Sequence, residues 1–187
     1  MQSKGHSLSI VPKAFNTFNN LLFFHQPLDN DDYVQLIGLN GRNREYRYIK
    51  KSYIDYPANF NHYKVFVPKA NGSGSLGERL STPLIGAPLI GHTDTFLSIG
   101  DFEYESEAES CLKYIKTKFA RVMLGVLKVT QDNTRSKWRF VPLQDFSASS
   151  DIDWSKSVAD IDSQLYSKYG LSDEEIEFIE SHVKSMD

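Results

Sequence analysis

Near residue 105 the spacing of apolar residues changes from about two to about 3.6, and few folds accommodate both halves of such a chain. Downstream, Ala108, Leu112, Ile115, Phe119, Val122, Met123 and Val126 recur at helical intervals. Acids lie near the start of this stretch and bases near its end, the order that the helix dipole favours. The pattern predicts one helix over Ser106 to Lys128. Upstream, Tyr33 to Leu39 and Arg44 to Ile49 alternate around Asn40-Gly41, a pair that tolerates positive φ and closes tight hairpins. Tyr63 to Val67 and Thr93 to Ile99 read as further strands, and Trp138 to Val141 as a closing strand ended by Pro142. Strands followed by a helix, without regular alternation, imply an α+β fold: a mixed or mostly antiparallel sheet with one long packed helix.

Two C-terminal helices complete the expected order. The first runs from Ser155 to Tyr169, with Val158, Ile161, Leu165 and Tyr169 on one face and Gly170 suited to a left-handed end. The second starts at Ser172, which has a capping-box spacing to Glu175, and presents Ile176, Ile179 and Val183. The chain thus divides into an α+β domain over residues 1–141 and a helical segment over residues 142–187. At 187 residues and 40% hydrophobic it can bury a core without metal or disulfide support. Its single cysteine, Cys111, excludes an internal disulfide and reads as a buried apolar residue of a cytoplasmic protein. The sequence has no apolar run of about 18 residues, and Met1 to Ile10 lacks a signal-peptide layout, so no membrane partner is expected.

A net charge of −3 argues at first against a nucleic-acid partner, but the charge is unevenly distributed. After Phe140 eleven acids face three bases, a net −8, which leaves the first 140 residues at +5. The bases there cluster in Arg42 to Lys51 and again in Lys113 to Arg139. On a helical projection Lys113, Lys116, Arg121 and Lys128 fall away from the apolar stripe, towards one broad basic face where phosphates could lie. A solvated helix surface is the bland reading of the same residues.

The segment Gly72-Ser73-Gly74-Ser75-Leu76-Gly77 fits the dinucleotide pattern GxGxxG, but Pro83, Gly86 and Pro88 follow where a helix N-terminus should receive a pyrophosphate. It reads instead as an adaptable loop in which Lys69, Asn71 and Ser73 can approach another surface. Lys128, Thr130, Gln131, Asn133, Arg135, Lys137 and Arg139 combine bases and amides, the chemistry of base-edge readout, since arginine pairs with guanine and glutamine or asparagine with adenine. Lys116, Lys118 and Arg121 are the expected phosphate partners. The five histidines lack metal-site spacing, and no nucleophile-base pairing stands out, so no catalytic or metal residue is expected. In Asp151-Ile152-Asp153-Trp154 the carboxylates read as helix caps and Trp154 as a packing anchor rather than as an acid-base pair.

The run from Tyr53 to the end resembles the C-terminal target-recognition region of adenine-specific (N6) DNA methyltransferases from bacterial type II restriction-modification systems, including those fused to a nuclease. The residues that carry the resemblance are Tyr63 to Gly74, Lys113 to Arg121, Lys128 to Asn133, Val141 to Phe146, Ser150 to Ser155 and Ile161 to Leu171. The resemblance implies double-stranded DNA as partner. It also implies a catalytic methyltransferase domain, N-terminal to this region, that binds S-adenosylmethionine and flips the adenine. The Asn-Pro-Pro-Tyr loop of that catalysis is absent from the sequence, so the chain is expected to be a non-catalytic fragment without a cofactor of its own. The 142–187 segment would then brace the recognition domain or dock on the catalytic part. An assembly module that joins the methyltransferase to a partner domain or nuclease subunit is the alternative. An independent nuclease is a third reading, but it would need an acid followed by an acid-x-lysine triplet on a strand edge, and no predicted strand carries one.

Overall fold

Tyr33–Asn40 (β1) and Asn43–Lys50 (β2) form the expected antiparallel hairpin in the computed structural model, which describes residues 10–186. His6, Asp187 and all of the Met1 to Ile10 segment but its last residue lie outside the described residues. The turn sits one residue later than the Asn-Gly signal suggests. Asn40 still pairs with Asn43, and Gly41 takes the first central position at φ 61°, where a two-residue hairpin loop needs a residue free of Cβ strain. The one-turn helix Ala14–Thr17 (α1) helps cover this hairpin, with Phe15 buried among Phe23, Val34, Leu36 and Ile49.

Ile90–His92 (β5) joins β1 in parallel, giving a three-stranded mixed sheet of order β2-β1-β5. A second sheet, antiparallel throughout, has Tyr63–Pro68 (β3) at its centre, flanked by Leu84–Gly86 (β4) and Phe96–Phe102 (β6). The strand expected over Thr93 to Ile99 begins at Phe96 because Thr93 to Phe96 close a turn, with Phe96 N–H on the Thr93 carbonyl at 3.1 Å. Ile37, Phe66 and Phe96 form a small buried cluster drawn from both sheets. The fold is α+β, with mixed and antiparallel sheets and two C-terminal helices.

The long helix expected over Ser106 to Lys128 is two helices, Glu105–Lys116 (α2) and Lys118–Gly125 (α3), broken at Thr117 with ψ 151°. Thr117 is the N-cap of α3, and its hydroxyl oxygen accepts from Ala120 N–H at 3.1 Å. The two preceding donors, Lys118 N–H and Phe119 N–H, go to the two carboxylate oxygens of Asp162, each at 2.9 Å. All three N–H groups at the start of α3 are therefore satisfied without helix continuing through Thr117. The break also turns α3: Phe119, Ala120, Arg121 and Leu124 face inward, while Val122 and Met123 are half-buried and Val126 is 53% exposed.

The closing strand expected at Trp138 to Val141 is instead a 3₁₀ helix over Arg135–Phe140. Short-range bonds, Lys137 N–H to the Thr134 carbonyl and Val141 N–H to the Trp138 carbonyl at 3.0 Å each, use the groups that a strand ladder would need. Val158–Tyr169 (α4) begins after Ser157, whose hydroxyl caps Asp160 N–H, and ends at Gly170 with φ 63°. Asp173–His182 (α5) carries the full Ser172–Glu175 capping box. The 142–187 segment packs on the preceding part. The largest core joins Val65, Val67, Cys111, Ile115 and Leu124 to Ile152, Trp154, Ile161, Leu165 and Ile179. Trp154 is the expected anchor, with its indole N–H on the Asp145 carbonyl at 2.9 Å. Burial pushes the Cys111 thiol up to about 12, so it stays protonated inside that core.

Asp162 makes the α3–α4 junction pH-dependent. Burial pushes its carboxyl up to about 6, against the opposing pull of the Phe119 and Lys118 N–H donors. The folded chain therefore holds this proton more tightly than the unfolded chain, whose aspartate titrates at ~3.9. The resulting contribution to stability is present in full below about 4 and is lost as pH rises through about 6. A carbon-13 NMR titration is expected to give an Asp162 carboxyl midpoint near 6, and a midpoint near 4 would contradict the assignment. Asp162→Ala, which strands two N–H donors, is expected to cost about 1–3 kcal/mol in urea unfolding.

Candidate nucleic-acid interface

The two polar stretches singled out in the sequence lie about sixty residues apart, yet backbone bonds join them. Ala70 and Asp132 form a bridge, Asn71 N–H bonds the Gln131 carbonyl at 2.9 Å, and Asn133 N–H bonds the Lys69 carbonyl at 2.6 Å. Gly74, at φ 92°, runs so close to the other stretch that a Cβ there would lie 2.4 Å from backbone atoms of Val129 and Thr130. The 69–77 loop and the 128–139 segment therefore present a single surface.

Lys128 is the fastener beneath that surface. It is only 2% exposed, and its ammonium donates to the Asn71 carbonyl at 2.8 Å, the Thr130 carbonyl at 2.9 Å and the Glu78 carboxylate. Glu78 accepts in turn from Ser73 N–H at 2.7 Å and Gly74 N–H at 3.1 Å. Burial works against ionising Glu78, but the Lys128 ammonium and these two N–H groups outweigh it and hold the carboxyl below its ordinary range. No helix follows the glycines. The element after the loop is β4, and the loop's N–H groups serve the chain's own carboxylate.

Several of the expected DNA-facing residues are instead engaged within the protein. Arg121, 2% exposed, sends its guanidinium to the carbonyls of Lys116, Thr117, Gly77 and Lys184, the last two at 2.6 and 2.7 Å. Lys128 is internal for the reason just given. Asn71 is buried and divides its amide between the Arg79 carbonyl and Ser81 N–H. Asn133 is buried too, and its Oδ1 accepts from the Trp138 indole at 2.7 Å. Lys118 pairs with Glu180 at 2.6 Å, and Lys113 donates to the carbonyls of Trp154 and Lys156 at 2.8 and 3.2 Å. The single basic helix face does not form, because the break at Thr117 turns Arg121 inward, Lys128 is buried beneath the loops, and Lys113 and Lys118 are engaged by the C-terminal segment.

Ser73, Thr130, Gln131, Arg135 and Arg139 are exposed, and Lys137 and Lys116 are half-exposed. Lys69 is half-exposed beside Asp94, with which it forms an ion pair. Arg139 lies 5.0 Å from the Phe140 ring centre, so its charge stays at the surface. A cleft of about 600 Å3 opens alongside, walled by Phe96, Tyr114, Trp138 and Phe146 and sharing Lys69, Thr134 and Arg135 with the joined loops. Sequence reading missed Glu78, whose signal is an acid four residues after the second loop glycine. Arg44, read in the sequence as one base of the Arg42 to Lys51 cluster, is engaged within the protein, its guanidinium donating to the carbonyls of Thr82 and Ser81 at 2.6 and 2.8 Å.

Among the described residues no group of three or more His, Cys, Asp or Glu side chains is placed to hold a metal ion, and no helix is long and apolar enough to cross a membrane. Comparison with known protein families, with curated proteins and with solved structures gives no match to this chain.

The fastener has a measurable signature. Lys128→Met removes one partner of a buried ion pair and is expected to cost about 3–5 kcal/mol in urea unfolding. Adding Glu78→Gln to that variant should recover part of the loss, because the stranded carboxylate is then neutral. An outward-facing Lys128 would instead give a Met variant of unchanged stability.

Proposed function

We propose that the chain is the DNA target-recognition part of a cytoplasmic adenine-N6 methyltransferase of restriction-modification type, reading double-stranded DNA for a catalytic domain that carries S-adenosylmethionine. The observation that supports this reading best is the backbone junction of the 69–77 loop with the 128–139 segment, which gathers exposed arginine, glutamine, threonine and serine side chains on one surface. The resemblance from Tyr53 onward points the same way, and Ser73, Gly74, Thr130 and Gln131 fall within its motifs.

The binding set follows from exposure. Arg135 and Arg139 have the forked donors that pair with guanine or phosphate, and Gln131 has the donor and acceptor that pair with adenine. Thr130 and Ser73 offer hydroxyls, and Lys69, Lys116 and Lys137 offer point charges for phosphates. Arg121, Lys128, Asn71 and Asn133 support these groups from beneath and do not touch DNA.

Anisotropy titration of the 187-residue chain with labelled duplexes at several salt concentrations tests the reading. Arg135→Ala with Arg139→Ala is expected to weaken binding and to flatten the slope of log K against log salt by about 0.9 for each phosphate that is no longer neutralised. Gln131→Ala is expected to relax discrimination at one base position by about 1–3 kcal/mol, with other positions unaffected. Affinity and slope unchanged in the arginine double variant would remove the proposal's basis.

A further inference from the structure

After the break at Thr117, part of the apolar surface of α3 is covered only incompletely by the described residues. Val122 and Met123 are half-buried and Val126 is 53% exposed, whereas Phe119, Ala120, Arg121 and Leu124 are buried. Across from α3, α5 turns Ile179 to the core but exposes Phe178 to 47%, its ring stacked on His182 at 4.3 Å. Between the helices runs a groove of about 410 Å3 whose apolar lining is Phe119, Val122, Met123, Leu171, Phe178 and Ile179. Among the described residues, the charged side chains that line it are Glu174 and Glu175. Helix α5 carries five acids and no lysine or arginine, and Glu174 and Glu177 are exposed.

We propose that this groove docks a partner polypeptide presenting a short basic amphipathic helix. Two helices with an apolar furrow between them accept a third in the manner of a bundle, through anchors spaced three and four residues apart. The acidic rim selects lysine and arginine on either side of those anchors and repels the phosphates of nucleic acid. It also repels a second copy of the same acidic helix. The site is separate from the joined loops, so it goes beyond DNA recognition.

The test uses the 187-residue chain with carbon-13 methyl-labelled methionine, which has three reporters: Met1, Met123 and Met186. The probe is a synthetic 18-residue helix of leucine, alanine and lysine with leucines along one stripe, together with a twin in which glutamate replaces every lysine. The lysine helix is expected to shift the Met123 methyl resonance saturably and leave Met186 in place, and the glutamate twin is expected to shift neither. Phe178→Ser, at an exposed position, should weaken binding by at least about tenfold. Glu174→Lys with Glu177→Lys should invert the preference towards the glutamate twin without altering the fold. Equal response to both helices, no response at Met123, or wild-type affinity in Phe178→Ser overturns the proposal. A Met123 shift that grows with chain concentration in the absence of any peptide also overturns it, because the occupant is then a second copy.

Discussion

Cations turned inward onto backbone carbonyls hold this fold together. Its strands are short and its connections long, so many carbonyls end in loops where no ladder or helix can bond them, and such groups are costly to bury unpaired. Lys64 donates to the carbonyls of Phe60, His62 and Ala87 at 2.9 to 3.1 Å, and burial lowers it to about 8. Lys113 gathers the chain before α4, Arg121 ties the glycine loop to the segment after α5, Lys128 ties the same loop to Thr130, and Arg44 ties β2 to the stretch before β4. Each of these side chains thus satisfies two or more acceptors, at least one of them in a stretch far from it in sequence. A chain with a single cysteine has no internal disulfide to do this.

That use of positive charge limits what a count of bases can say about a binding surface. The bases from Lys113 to Arg139 look alike in sequence, but they divide by position into those that serve the interior and those that face outward. Arg121 and Lys128 belong to the first group, and Arg135 and Arg139 to the second. The acidic C-terminal segment follows the same logic: Asp162 caps α3 and Glu180 meets both Lys118 and the Tyr166 hydroxyl, so part of the −8 tail serves to hold α3 in place.

What could be read from sequence was local, and what could not was long-range. The hairpin, the Ser172–Glu175 box and the Gly170 terminus depend on neighbours a few residues away, and each reads directly from spacing, while residue type alone marks Cys111 and Trp154 for the core. The helix break depends on Asp162, 44 residues beyond Lys118, and nothing in the apolar period of residues 106–128 records it. Thr117 was a faint clue, since a threonine serves better as a cap than inside a helix. The candidate surface was legible in part. Both of its stretches stand out by their polarity, but their junction through Ala70 and Asp132 is set by the fold, as is the withdrawal of Asn71, Asn133, Arg121 and Lys128 from solvent.

The crossing at Gly74 has a bearing on how such a surface can be altered. Because the glycine loop and the later segment touch through main-chain atoms, a loop with any other residue at position 74 would run into the backbone of Val129 and Thr130. Such a swap would push Val129 and Thr130 aside and carry Gln131 with them. Redesign of this face, by evolution or at the bench, has to keep that glycine or exchange both stretches as a matched set.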